Sequence, residues 1–275
     1  MIGQLAVTNE FSWSVCRAGH RVVDCPSNEA QSEIEGERLA QANKLWVRPM
    51  ESPKLLRQKL LRYYPLRNPA IFRMFADVGP DHQSILNFAN RFGLLTDAVS
   101  GESLAFWQEQ ISDMRSLVDL WEKATSLCSD LEKASRVVKS MEGHEMMAGD
   151  TVAHALHFTL DVAVDHFDCL ILRVNQRISN VTAALCRNFT DGAEDSVQLQ
   201  LRPNNLLQAM WLQFGQAIAA NKSFRKCQCG TWFEISRKVA RSDKIFCTEA
   251  CKARAYRQRL AGRTEGATAG ENRET

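Results

Sequence analysis

Four cysteines near the end of the chain have a spacing that suits metal binding. They are Cys227, Cys229, Cys247 and Cys251, in the pattern C-x-C, seventeen residues, C-x3-C. The chain has nine cysteines, and the other five are scattered. In a reducing compartment a tight cluster is typical of a metal site, whereas scattered thiols behave as small apolar residues. Four thiolates suit a tetrahedral ion and leave no open coordination position, so the cluster predicts one structural zinc ion.

Two short strands and a helix are expected to position these sulfurs. Residues 232–235 and 244–247 have the composition of two strands of a hairpin, and Gly230 suits a tight turn after the first pair. If Thr248 caps a helix, the sulfurs of the second pair can point at one ion. The first pair is closer than the commoner C-x2-C and needs a sharper turn. Incidental buried thiols remain the alternative.

The segment around the cysteines is strongly basic. Residues 222–259 contain eleven Lys or Arg and three Asp or Glu, a net charge of +8, although the whole chain carries only +2. The rest of the chain therefore carries −6. A compact basic segment is typical of proteins that bind phosphate backbones, and Arg can also read guanine edges. The candidate nucleic-acid contacts are Lys252, Arg254, Arg257 and Arg259 on the final helix, with Arg237, Lys238 and Arg241 before it.

The final helix is expected to turn Ala250, Ala253 and Tyr256 inward. Two other interpretations of its charges stay open: a solvated surface, or a patch that docks on an acidic protein surface, including the acidic remainder of this chain or of a second copy. The sequence favours nucleic acid, with DNA ahead of RNA, and protein docking is the alternative.

Residues 225–259 resemble the C-terminal zinc finger of bacterial proteins of the CGNR type, a group described as transcription regulators. The resemblance rests on the two cysteine pairs, Gly230, Phe233, the aromatic residue before Cys247 and the basic helix. The first cysteine pair is shorter than in that group, and Cys251-Lys252-Ala253-Arg254 stands where the group has Cys-Gly-Asn-Arg. The resemblance implies a treble-clef-like zinc finger with four cysteine ligands and a role in transcription.

A second resemblance covers two segments upstream. Residues 64–76 and 85–95 are similar to a pattern in bacterial proteins of unknown function that end in a similar finger. This resemblance implies an architecture, but no activity.

The region before the finger predicts a mainly helical body with a small β component, an α+β fold. Helices are predicted from Pro53, with Leu55, Leu56, Leu60 and Leu61 on one face, over 81–93, from Leu104, over 149–174, and from Pro203. A β-hairpin is predicted over 181–202 because Val197, Leu199 and Leu201 alternate with polar residues. Asp81 and Gly93 are predicted to cap the second helix.

The long helix from Leu104 carries an apolar seam at alternating spacings of three and four. Its members are Leu104, Trp107, Ile111, Met114, Val118 and Trp121. Further leucines widen the stripe, which favours packing within a helical domain over a coiled-coil dimer, because a coiled coil keeps a narrower seam. A homodimer stays open.

The chain is predicted to have three parts. Residues 1–221 form the helical body, which would sense a signal or bind a partner; residues 222–260 form the finger; and residues 261–275 form a disordered tail. Composition is that of a globular protein, with 45% hydrophobic and 24% charged residues. The most apolar stretch, 152–174, is interrupted by charges, so no membrane span is expected. No basic start followed by an apolar run marks a secretory signal, so a cytoplasmic location is expected.

Histidine and aspartate residues also cluster on one of the predicted helices. His154, His157, Asp161 and Asp165 share one helical face, with His166 adjacent. Such a face could hold a second metal or act as an acid and base, but a polar exposed stripe is the favoured interpretation. No phosphate loop, HExxH or nucleophile elbow accompanies it. The sequence therefore predicts no enzyme activity, and it identifies no small-molecule ligand.

Overall fold

The computed structural model describes residues 6–7, 11–24, 45–51, 60–98, 101–141, 149–188, 196–235 and 243–268. The chain divides into two compact units, residues 1–218 and 219–275. Helices and small sheets occur together, which confirms the predicted α+β class. None of the helices in the described ranges combines the length and the apolar character that crossing a membrane requires.

The described part of unit 1 contains eight short strands. They are β1 Ala6–Val7, β2 Trp13–Cys16, β3 His20–Asp24, β4 Leu45–Pro49, β5 Leu60–Tyr63, β6 Glu102–Ser103, β7 Thr182–Asn188 and β8 Ser196–Arg202. Strands β2 and β5 form one antiparallel pair, and β3, β4 and β6 form an antiparallel sheet in the order β3-β4-β6. The third sheet has the order β1-β8-β7, with β1 parallel to β8.

Five α-helices accompany these strands in the described ranges. They are α1 Ile71–Ala76, α2 His82–Phe92, α3 Leu104–Met141, α4 Gly149–Ile178 and α5 Leu206–Ala219, whose last residue lies at the unit boundary. Helix α3 packs against α1 and α4. All six residues of the predicted seam on α3 are buried, from Leu104 to Trp121. The seam therefore belongs to the core of unit 1, as its width predicted.

The core of unit 1 is rich in aromatic residues. Phe72 of α1 stacks on Phe214 of α5 with 5.1 Å between ring centroids, and Trp121 of α3 meets Phe214 edge-on at 5.6 Å. Trp107 and Trp211 are also fully buried. Burial of several large aromatic side chains supplies the main stabilisation of such a unit, because each removes a large apolar area from water.

The ends of helix α2 confirm the predicted caps. The Asp81 carboxylate accepts a hydrogen bond from the Ser84 backbone N–H at 2.9 Å, which satisfies a donor that the first turn leaves free. Gly93 follows the helix with φ of +88°, a conformation that costs glycine little.

Three predictions about element bounds are wrong. Leu60 and Leu61 lie in strand β5, not in a helix, because pairing with β2 outweighs the local apolar pattern; Leu55 and Leu56 lie outside the described residues. Helix α5 begins at Leu206 and not at Pro203, since Asn205 provides the cap by accepting from the Gln208 N–H at 2.8 Å.

The third wrong prediction concerns the C-terminal tail. The last helix continues to Thr268, so the tail predicted from residue 261 is helical for its first eight residues. Extending a helix that has already begun adds a hydrogen bond per residue without a new nucleation step, which offsets the two glycines in this stretch. Residues 269–275 lie outside the described part of the chain.

The predicted β-hairpin is present as β7 and β8, but its faces are the reverse of the usual pattern. Leu185 and Leu199 are directly opposed in register and are 74% and 44% exposed. Gln200, the next residue along β8, is buried at 7% exposure. Leu185 and Leu199 therefore face solvent, while a glutamine faces the protein.

Candidate metal centre and nucleic-acid interface

Unit 2 contains a two-stranded sheet and one helix in its described residues. Strand β9, Ser223–Lys226, pairs antiparallel with β10, Trp232–Ile235, and helix α6 spans Glu249–Thr268. The predicted hairpin partner of 232–235 is wrong, because residues 244–247 form no strand. Strand β10 pairs instead with β9, the strand before the first cysteine pair, because the chain reverses direction in the turn that contains Cys227 and Cys229.

The first cysteine pair lies in that turn. The Gly230 N–H donates to the Cys227 carbonyl at 2.9 Å, and the Cys227 N–H donates to the Thr231 carbonyl at 2.9 Å. Gly230 has φ of +83°, which explains the glycine at this position. The turn holds Cys227 in the interior and leaves Cys229 exposed. A sharp glycine turn thus accommodates the short C-x-C spacing.

The second cysteine pair spans the start of helix α6. The Thr248 hydroxyl oxygen accepts a hydrogen bond from the Cys251 N–H at 3.2 Å, which confirms the predicted cap. Cys247 precedes this cap, and its sulfur lies 3.4 Å from that of Cys251. The cap therefore fixes both sulfurs relative to the first turn of the helix.

All four sulfurs come together. The Sγ atoms of Cys227, Cys229, Cys247 and Cys251 lie within 4.8 Å of one another. Those of Cys229 and Cys247 are 3.5 Å apart, and the cysteines are free thiols, not disulfides. Ligands about 2.3 Å from a tetrahedral zinc ion would lie about 3.8 Å apart, which is close to this spacing. The four cysteines can hold a metal ion.

The ionisation of the thiols also bears on metal binding. Hydrogen bonds from the Thr231 side chain and backbone lower the pKa of Cys229 to about 6. Burial, with the neighbouring thiols, raises the pKa of Cys247 to about 12. Four adjacent thiols cannot all ionise without a compensating charge, whereas a coordinating cation deprotonates them outright. The electrostatics of the cluster therefore favour a bound cation.

A small apolar cluster supports the metal centre. Its buried members are Cys227, Phe233, Phe246 and Ala255. Among the described side chains of α6, Ala255, one turn after Cys251, is the buried one, and the predicted inward residues Ala250, Ala253 and Tyr256 are wrong: all three are exposed. The four-residue helical step from the ligand Cys251 could have identified Ala255 from the sequence.

The predicted basic side chains of α6 are exposed to solvent. They are Lys252, Arg254, Arg257 and Arg259. Lys252 lies 3.6 Å from the exposed Glu249 carboxylate, whereas the three arginines make no ion pair with any described residue. Arg237, Lys238 and Arg241, the other predicted contacts, lie outside the described residues. The helix thus presents a positive surface that starts within the cysteine cluster.

Basic residues of the sheet have structural contacts instead. The Arg225 guanidinium donates to the Lys244 carbonyl at 2.8 Å, which ties strand β9 to the segment that carries the second cysteine pair. The ammonium group of Lys222, the residue before β9, lies 3.0 Å from the Glu234 carboxylate of β10. The role of Arg225 was not predictable from the sequence, because its partner is a backbone carbonyl that no sequence pattern identifies.

The histidine and aspartate face on α4 does not form a comparable site. His157 and Asp161 are 3.7 Å apart, and both side chains are largely exposed. Asp165 is exposed as well, and the side chain of His154 lies outside the described residues. Within the described part of the chain, the four cysteines are the single group of three or more potential ligands close enough to share an ion.

The chain was compared with family models, with curated proteins and with solved structures, and none of the three comparisons yields a match.

Proposed function

We propose that the chain is a zinc-finger protein that binds nucleic acid through helix α6, with DNA as the favoured target, and that it regulates transcription in the cytoplasm. One observation carries the proposal: the cysteine cluster fixes the start of a helix whose exposed side chains include three arginines without an ion pair to any described residue. Phosphate contacts by fixed cations release counterions and need little ordering of the protein on binding.

Zinc is the proposed ion because four thiolates at tetrahedral spacing suit it best. Two sulfurs come from a glycine turn and two from the start of a helix, an arrangement that supports the treble-clef-like finger with four cysteine ligands. Zinc would hold the turn and the helix together and would have a structural role, because the four cysteines leave no open position. Metal analysis of purified protein should find about one zinc per chain; a tetrathiolate iron centre is the other metal that this geometry accepts.

The test of nucleic-acid binding is a paired substitution on α6. Arg254→Ala with Arg257→Ala should weaken binding across sequences and reduce the dependence of log K on log salt by about one to two units, since each phosphate contact contributes about 0.9. Binding is measured by mobility shift with random duplex DNA, single-stranded DNA and RNA. Zinc content should not change, because neither arginine is a ligand.

A matched control removes two cations from the same spacing elsewhere. Lys133→Ala with Arg136→Ala changes an exposed pair on α3, also three residues apart, and should leave binding unchanged. If both variants lost the same amount of nucleic-acid affinity, the affinity would depend on net charge alone, which would contradict a specific role for α6. No binding by the wild-type protein to any of the three nucleic acids near about 50 mM salt would overturn the proposal.

A second candidate, docking of the finger on an acidic protein surface, is favoured by one observation. Ile245 is 56% exposed between the cysteine pairs, and phosphate binding offers it no contact. Ile245→Ser should leave nucleic-acid binding intact under the first proposal. If the wild type binds no nucleic acid but binds an acidic protein surface, and Ile245→Ser weakens that complex, protein docking is the function.

A further inference from the structure

Unit 1 contains an open pocket of about 250 Å³ that the proposed function does not use. Strands β2 and β5, His20 at the start of β3, and residues 94–98 contribute to its walls. Sites for drug-sized ligands usually measure about 300–1,000 Å³, so this pocket suits a smaller molecule.

Close packing between the 94–98 segment and β2 fixes one wall. The Trp13 Nε1–H donates to the Leu94 carbonyl at 3.0 Å, which orients the indole beside the pocket. A Cβ atom at Gly93 would lie 2.6 Å from the Ser14 carbonyl oxygen, and the φ of Gly93 is +88°. Glycine therefore permits the approach of these two segments.

A buried carboxylate holds the same wall from behind. Glu102 is 4% exposed, and its carboxylate accepts from the Leu95 N–H at 3.0 Å and from the Thr96 hydroxyl at 2.7 Å. It also accepts from the Thr96 backbone N–H. The wall is thus preformed, which lowers the ordering cost of binding a ligand.

A buried histidine that lines the pocket carries a hydrogen-bond acceptor on its ring. His20 is 3% exposed, and the Asn90 Oδ1 atom lies 2.6 Å from its backbone N–H donor and 3.3 Å from ring Nδ1. Because an amide oxygen only accepts, Nδ1 carries the proton, and Nε2 of the neutral ring is an acceptor. Nε2 has no hydrogen-bond partner among the described residues, and the atom is not completely buried.

Two opposite charges complete the pocket. Arg62 of β5 and Asp97 both line it, and neither makes a side-chain hydrogen bond or ion pair with a described residue. A purely anionic ligand would meet Asp97, and a purely cationic one would meet Arg62. Both side chains are exposed to solvent, and a ligand with both charges could pair with the two groups at once.

From this arrangement we propose that the pocket binds a free amino acid. The ligand carboxylate would pair with Arg62, and its ammonium group would donate to Asp97 and to His20 Nε2. The apolar part would lie against Trp13 and Leu94. Burial lowers the pKa of His20, which keeps the ring neutral and able to accept. This proposal is independent of nucleic-acid binding.

The test starts with the twenty standard amino acids as probes, each at about 5 mM so that millimolar affinities are detected, by ligand-observed NMR and then calorimetry. At least one should bind the wild-type protein. Arg62→Gln and Asp97→Asn should each weaken that probe about tenfold or more, as expected for loss of a charged hydrogen bond. Arg21→Gln is the matched control, because Arg21 is exposed next to His20 but does not line the pocket.

Derivatives of the same probe test its chemical class. The amide lacks the carboxylate charge, and the N-acetyl form lacks the ammonium charge, so both should bind about tenfold more weakly. Absence of binding by all twenty probes would overturn the proposal. It would also be overturned if Arg21→Gln weakened binding as much as Arg62→Gln, or if the two derivatives bound as well as the parent amino acid.

Discussion

Units 1 and 2 are stabilised in different ways. Unit 1 encloses a large aromatic core that includes Trp107, Trp211 and Phe214. Among its described residues, unit 2 has four buried apolar or thiol residues in one cluster, and one of them, Cys227, is itself a candidate metal ligand. Burial of apolar surface can stabilise the first unit alone, whereas a core as small as the second needs metal ligation. A metal ion held by the four cysteines would therefore give unit 2 a source of stability that unit 1 does not need.

The largest effect should follow loss of the metal ligands. Cys247→Ser with Cys251→Ser should abolish metal binding and unfold unit 2, while unit 1 keeps its structure. Metal analysis and protease resistance of residues 219–275 report on unit 2, and tryptophan fluorescence reports mainly on unit 1. Cys128→Ser with Cys169→Ser is the control, since both thiols lie outside the cluster. Full metal content in the Cys247 and Cys251 variant would refute the assignment of these ligands.

The converse change targets unit 1. Trp121→Ala should lower the free energy of unfolding of that unit by about 3–5 kcal/mol, because a 3% exposed indole between Phe72 and Phe214 leaves a cavity. Metal content should stay at the wild-type value. Urea unfolding measures the change, and Lys123→Ala on the exposed side of α3 should cost less than about 0.5 kcal/mol. A loss below about 1 kcal/mol for Trp121→Ala would show that the packing of this indole contributes little to the stability of unit 1.

The smallest effect concerns pH. Burial lowers the pKa of His20 from 6.5, so the folded protein resists a proton that the unfolded chain accepts. The stability that depends on the neutral ring is complete above about pH 6.5 and decreases as the pH falls below it. His20→Gln removes this dependence. The difference in unfolding free energy between the wild type and His20→Gln should therefore shrink between about pH 7.5 and 5.5, and a constant difference would contradict burial of His20.

Local signals made part of the structure predictable. The cap of α2 at Asp81, the cap of α6 at Thr248 and the seam on α3 depend on residues within a few turns of one another, and the structure confirms all three. The clustering of the four cysteines was predictable for the same reason, because two short spacings place them in a turn and at a helix start.

Contacts between distant segments were not predictable. The local pattern around Leu60 and Leu61 predicts a helix. Both residues lie in a strand because they pair with β2, which is more than forty residues earlier in the chain. The pocket joins His20, Arg62 and Asp97 from three separate segments. A single sequence contains no periodicity that reports such pairing, so neither β5 nor the pocket follows from it.

The reversed hairpin of β7 and β8 has a consequence for strand register. Side chains alternate along a strand, so sliding β8 by one residue would turn Leu199 inward and Gln200 outward. The hydrophobic pattern of this hairpin therefore opposes its own alignment, and pairing with β1 has to maintain it. Competition between two alignments makes this the part of unit 1 where backbone amides should exchange with solvent early. On heating, its exposed leucines offer a starting point for aggregation between molecules.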